Sequence, residues 1–272
     1  MQAEELKMEV NGIQLAYNRY GEEGGKRIML IHGWLGYKEM FKNVAELLVR
    51  QGFDVVVPDL RGYGSSDKPE GNYTSELFSA DLFSLARALN WTNGVIIVGH
   101  SMGGYIVLDY ALRYPETLSH LIVANSSAYL KRSLLSRFMW WMAIRMYRKG
   151  SFQKNPENMV KRMVTGAFKT PPPKEFMKEF IEYSLKIPIY VGVSAISNCY
   201  NTNLEPELPK IQIPTLVLSG QYDQRDLRKA SLQIHKLIPN SKFIVIPTGH
   251  FSIIENPEAF VKPIIADISP QG

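Results

Sequence analysis

The stretch Val95–Gly104 reads VIIVGHSMGG. Four apolar, mostly β-branched residues run into Gly99, His100 and Ser101, and Gly103 and Gly104 follow. A β-rich run, a serine fenced by glycines and then an apolar-periodic segment from Met102 to Arg113 predict a strand that turns sharply into a helix. Such a turn forces its apex residue into a strained backbone conformation. It brings the positions two before and two after the apex so close together that glycine is required there. The Ser101 hydroxyl is lifted clear of the sheet edge. The Met102 N–H, at the start of the helix, is aimed at whatever binds beside it. G-x-S-x-G alone is a weak pattern, and its placement between strand and helix is what gives it meaning.

On either side, short apolar runs alternate with helical spacing. MEVNGIQLAYNRYG alternates apolar and polar residues around Asn11-Gly12, a hairpin signal. RIMLIHGW (27–34), DVVVPDLRGYG (54–64), HLIVANS (120–126), TLVLSGQYD (215–223) and KFIVIPTGH (242–250) read as further strands. The helical spacing covers 38–52, 74–90 with Thr74 or Ser75 as N-cap, a segment from Asp223 to about Ile238, and Pro257–Asp267, which Pro263 should strain. Strands alternating with helices imply parallel pairing in an open α/β sheet. Apolar runs without alternation imply strands covered on both faces. The rhythm breaks between about Asn125 and Thr215, where a helical excursion above the sheet is expected, stiffened by Pro171-Pro172-Pro173.

A serine hydroxyl needs a base to act as a nucleophile. Of the five histidines, His235 falls in a helix, His120 starts a strand and His32 ends one. The side chain of His100 should point away from Ser101. His250, in TGHF just past the last strand, is expected at the same sheet edge as Ser101 and is the candidate base. Its orienting carboxylate is Asp223, at the end of TLVLSGQYD, with Asp226 as competitor. The second donor toward a developing oxyanion is expected from HGWLG (32–36), through the Trp34 backbone N–H. Asp59, Arg61 and Asp67 in DLRGYGSSD read as structural bridges between loops.

With these residues in place, the chain resembles the α/β-hydrolase superfamily over nearly its whole length. HGWLG is similar to the oxyanion loop, DLRGYGSSDKP to the loop after the next strand, GHSMGG to the nucleophile elbow, GQYD to the acid turn and TGHF to the histidine loop. The resemblance implies a mostly parallel eight-stranded sheet flanked by helices, with residues 1–125 and 207–272 as the core and 126–206 as a helical cap. It implies a cofactor-independent serine hydrolase of the esterase or lipase kind, with no metal. Serine at the elbow argues against dehalogenase and epoxide-hydrolase chemistry, where aspartate is usual. Esterases, lactonases and C–C bond hydrolases of ring-cleavage products share the elbow. A slow ligand-sensing or partner-binding relative is the alternative of another class.

Composition bounds the partners. The chain has 272 residues, 45% hydrophobic and 21% charged, with a net charge of +5. From Ser126 to Leu204 there are 13 Lys and Arg against 4 Asp and Glu, a net of +9, which leaves 18 basic and 22 acidic residues elsewhere. This basic insertion is either a solvated helical face or an attractor of anionic substrate or membrane. Within it, SLLSRFMWWMAIRMYRKG (133–150) carries a wide apolar stripe. It either packs within the cap or roofs an acyl pocket through Phe138, Met139, Trp141 and Met142, and Trp140 and Trp141 raise peripheral membrane contact as a third option. The expected partner is a small-molecule ester with a hydrophobic acyl or aryl group, not a nucleic acid. No run of 18 apolar residues occurs, the N-terminus MQAEELKMEV lacks a secretory core, and the lone Cys199 fits a reducing, cytoplasmic setting. Oligomeric state is not legible.

Overall fold

The computed structural model describes residues 4–129, 142, 145 and 156–269. Eight strands form one sheet: β1 (Glu4–Val10), β2 (Ile13–Tyr20), β3 (Lys26–Ile31), β4 (Phe53–Pro58), β5 (Val95–His100), β6 (Leu118–Ala124), β7 (Thr215–Gly220) and β8 (Ser241–Ile246). Their spatial order is β1-β2-β4-β3-β5-β6-β7-β8. The β1–β2 hairpin turns at Asn11 and Gly12, both at positive φ, as an Asn-Gly turn requires. β2 pairs antiparallel with β4, and from β4 through β8 every pairing is parallel.

The expected eight-stranded, mostly parallel sheet is therefore present, with helices between its strands. They are α1 (Lys42–Val49), α2 (Ser75–Ala88), α3 (Met102–Arg113), α4 (Pro156–Thr165), α5 (Lys174–Leu185), α6 (Ile189–Asn201), α7 (Arg225–Leu237), α8 (Ser252–Glu255) and α9 (Pro257–Ile268). β4, β5 and β7 are buried at every position, which is why their sequences show no alternation. β8 departs from that reading. It is the edge strand opposite β1, and Ile244 and Val245 are exposed. Thr74 caps α2 by accepting the Leu77 N–H at 3.2 Å. Pro263 does not break α9, because Phe260, Val261 and Ile264 anchor that helix in the core.

α4, α5 and α6 lie in the chain between β6 and β7. Pro173 sits at the N-cap of α5, so the triple proline does separate two helices. Asp59 accepts from buried Lys38 and from the Ser65 N–H, Arg61 grips Asp81, and Asp67 exchanges main-chain and side-chain bonds with Gln14. These contacts tie the loops to one another, to α2 and to β2, as the structural reading of those residues expects.

Candidate active site

The last residue of β5 is His100 and the first of α3 is Met102, which leaves Ser101 alone at the turn. Its backbone stands at φ 57° and ψ −122°, a conformation that residues with a Cβ avoid. The glycines around it explain how so tight a turn packs. A Cβ on Gly99 would overlap the Gly103 carbonyl, one on Gly103 would overlap the Ile31 carbonyl of β3, and one on Gly104 would lie 2.5 Å from Ser126 Cβ. Gly99 admits the start of the helix, and Gly103 admits the neighbouring strand.

β7 and β8 deliver the other two side chains to the same sheet edge. The Ser101 hydroxyl donates to His250 Nε2 at 2.9 Å. On the opposite side of the ring, His250 Nδ1–H donates to the Asp223 carboxylate, at 3.0 Å to Oδ2 and 3.2 Å to Oδ1. Asp223 stands at this position. Asp226 lies in the first turn of α7, exposed to solvent. The Asp223 side chain is 1% exposed and that of His250 12%, so the carboxylate is buried while the imidazole keeps access to the site. Burial pushes the Asp223 carboxyl up. The His250 ring, with Asn125 and the Gln224 N–H, outweighs that and holds it below its ordinary value.

The loop after β3 closes the other side. A Cβ on Gly33 would lie 2.9 Å from Ser101 Cβ and 3.4 Å from Ser101 Oγ, so the backbone just before Trp34 runs against the serine. Met102 is the first residue of α3, and its N–H has no acceptor inside the helix. The Trp34 indole N–H donates to the Gly192 carbonyl of α6 at 2.8 Å, which anchors the loop from above. Below it, buried His32 donates from Nδ1 to Gly33 O and accepts the Leu60 N–H on Nε2, so its ring is a neutral spacer. Burial lowers its pKa. Of the pocket candidates, Phe138, Met139 and Trp141 lie outside the described residues. Met142 is helical and 41% exposed.

A serine at a strained strand–helix apex, joined through an imidazole to a buried carboxylate, can transfer a proton away from an attacking hydroxyl. The alpha/beta hydrolase fold model matches residues 26–257. The chain belongs to this family. The α/β hydrolase is 27% identical over 258 residues to a protein named Lipase 1 from Psychrobacter immobilis, covering 90% of this chain and 77% of that one. A thermophilic esterase from Thermogutta terrifontis superposes with a TM-score of 0.79 at 28% identity, over 98% of this chain and 97% of the esterase. The enol-lactonase from Burkholderia xenovorans LB400 superposes with a TM-score of 0.82 at 21% identity, over 96% and 99%, a likeness of fold.

Three side chains of this hydrolase escaped the sequence reading. Asn125, at φ 50° just past β6, donates to Asp223 Oδ2 at 2.9 Å and to Gly249 O at 3.3 Å, and accepts from Ser252 Oγ. Ser126 Oγ donates to the Ser101 carbonyl at 2.7 Å. His100 does more than point away from the serine, since its Nε2–H donates to the His250 carbonyl at 2.7 Å. Burial first, and the nearby His250 second, lower the pKa of His100 to about 3. A signal for Asn125 was available, because an Asn directly after a strand is suited to positive φ.

Among the described residues no helix is long and apolar enough to cross a membrane, and no group of three or more His, Cys, Asp or Glu could hold a metal. Burial raises the Cys199 thiol to about 12 and keeps it unreactive.

Proposed function

We propose that this α/β hydrolase cleaves carboxylic esters through a serine acyl-enzyme, with Ser101 as nucleophile, His250 as general base and acid, and Asp223 as the orienting carboxylate. The hydrogen-bonded chain Ser101 Oγ–His250 Nε2, His250 Nδ1–Asp223 carries this reading. His250 takes the hydroxyl proton as Ser101 Oγ attacks the ester carbonyl. The Trp34 and Met102 backbone N–H groups accommodate the negative charge on the carbonyl oxygen. Collapse of the tetrahedral adduct breaks the C–O bond to the alcohol, which leaves with the proton from His250. Water, deprotonated by His250, then attacks the acyl-enzyme and releases the acid and Ser101.

An ester with a hydrophobic acyl or aryl part is the substrate class. It is supported by an aromatic group beside the base: the Phe251 ring lies 5.6 Å from that of His250 and 4.9 Å from Phe168, with Phe176 and Phe180 both at 5.7 Å. The names carried by the lipase and esterase relatives support the same class. In this reading residues 126–206 form the cap.

The test is a rate profile over p-nitrophenyl esters of increasing acyl length, run beside fluorophosphonate labelling. The expected result is steady turnover, labelling of Ser101, and loss of both in Ser101→Ala. Asp223→Asn should lower kcat by about a hundredfold or more, while Asp226→Asn leaves it nearly unchanged. A burst without turnover, or activity that survives Ser101→Ala, overturns the assignment.

A further inference from the structure

The main chain of His250 is held at both of its polar groups. Its carbonyl accepts from His100 Nε2, beside the elbow. Its N–H donates at 2.7 Å to the carbonyl of Ala167, which belongs to the chain between β6 and β7. One face of the base loop therefore rests on the core and the other on the excursion above it.

Glu255, the last residue of α8, fastens that second face. Both of its carboxylate oxygens accept the Gly249 N–H, each at 3.0 Å. Oε2 also accepts the Lys169 N–H at 3.2 Å. The approach is close enough that a Cβ on Gly249 would lie 2.6 Å from Ala167 O, 2.7 Å from Glu255 Oε1 and 2.8 Å from Lys169 N. Between the two bonded positions, Phe168 stacks on Phe251 at 15°. The Lys169 ammonium sits 4.4 Å above the ring of Tyr222, the residue before Asp223. Three consecutive residues thus touch the base loop and reach the neighbour of the acid. Among the described residues, only the Glu255 side chain bonds to both segments at once.

We propose that Glu255 is a positioning residue for His250: its carboxylate ties the base loop to residues 167–169, so that the excursion sets where the imidazole stands relative to Ser101. This rests on the reading of Ser101, His250 and Asp223 as the catalytic chain. A carboxylate accepts two N–H groups without offering a competing donor. An amide in its place presents an NH2 to one of them and loosens the bridge. A base displaced by a fraction of an ångström transfers the proton less efficiently, while binding of the ester is little affected.

The experiment uses the full chain and its Glu255→Gln variant, with p-nitrophenyl ester turnover expressed per serine titrated by a fluorophosphonate. The expected result is a kcat lowered about ten- to hundredfold, a KM within about twofold of the parent, and a slower labelling rate. A kcat per titrated serine equal to that of the parent overturns the proposal, because a merely structural role changes only the number of active molecules. Should Glu255→Gln not fold, Glu255→Asp carries the test: it keeps the charge but shortens the reach to the Gly249 and Lys169 N–H groups and should lower kcat per titrated serine, and an unchanged value overturns the proposal. Failure of the parent chain to label at Ser101 instead overturns the catalytic reading itself, so the two failures are distinct.

Discussion

Ser101 is held at φ 57°, which lifts its hydroxyl beyond the sheet edge to within 2.9 Å of His250 Nε2, and the fold bears the resulting strain. Ser101→Gly removes the side chain that objects to this backbone. It should raise stability by about 1 kcal/mol, the relief of strain minus the extra chain entropy of glycine, while abolishing turnover. Urea denaturation of parent and variant measures the first effect and ester hydrolysis the second. Among the described residues Asn125 is the other non-glycine residue at positive φ with a direct bond to the Ser101–His250–Asp223 chain, through Asp223. Its amide donates to the acid while its carbonyl oxygen accepts from Ser252, so one side chain satisfies two loops. Ser101, Asp223 and His250 were legible because each follows a recognisable strand. Asn125, His100 and Glu255 were not, because each matters through a group 6 to 150 positions away that the sequence does not pair with it.

At the level of elements, the elbow works because α3 packs tightly against β3. Gly103 faces the carbonyls of Ile31 and His32, and an added methyl group would sit 2.7 Å from the latter. Gly103→Ala should push the helix off the strand and cost about 1–3 kcal/mol or more. Gly192, within α6, is a useful contrast. Among the described residues, a Cβ there meets only Trp34 Nε1 at 3.7 Å and Leu35 Cδ2 at 3.9 Å, ordinary contact distances. Gly192→Ala should stabilise the protein by about 0.5–1 kcal/mol through helix propensity. Thermal unfolding of the two variants should move in opposite directions. The hairpin, α2 with its Thr74 cap and α3 match the sequence periodicity closely. β8 does not, because an apolar run reads alike in a central strand and in an outer one, and only the sheet order exposes Ile244 and Val245.

Across the whole molecule, the site sits on two buried neutral histidines, His32 under the Gly33–Gly36 loop and His100 under the loop that carries His250. Burial lowers the pKa of His100 from 6.5 to about 3 and lowers that of His32 as well. Between about 3 and 6.5 the unfolded chain therefore binds more protons than the native one at His100. Stability rises with pH through that window and is lost as pH falls through it, by up to about 1.4 kcal/mol per pH unit from His100, and the lowered pKa of His32 acts in the same direction. Asp223 adds to the loss further down. Its depressed pKa contributes stability above 3.8 that disappears as pH falls through its native value. Urea midpoints measured from pH 7 to pH 4 should decline steadily. His100→Gln, which can still donate to the His250 carbonyl, should flatten that slope by about one histidine's share.

The sequence by itself determined the strand–turn–helix at Ser101, the parallel α/β order and the identity of the three loops that meet there. Those features rest on local periodicity and on glycines whose need is set within a few residues. Only the tertiary structure decided that Asn125, His100 and Glu255 bond to the loops that carry Asp223 and His250. The partners in those contacts include residues 98 and 150 positions apart. Their pairing follows from sheet order and from the path of the chain between β6 and β7, which no spacing of residue types encodes.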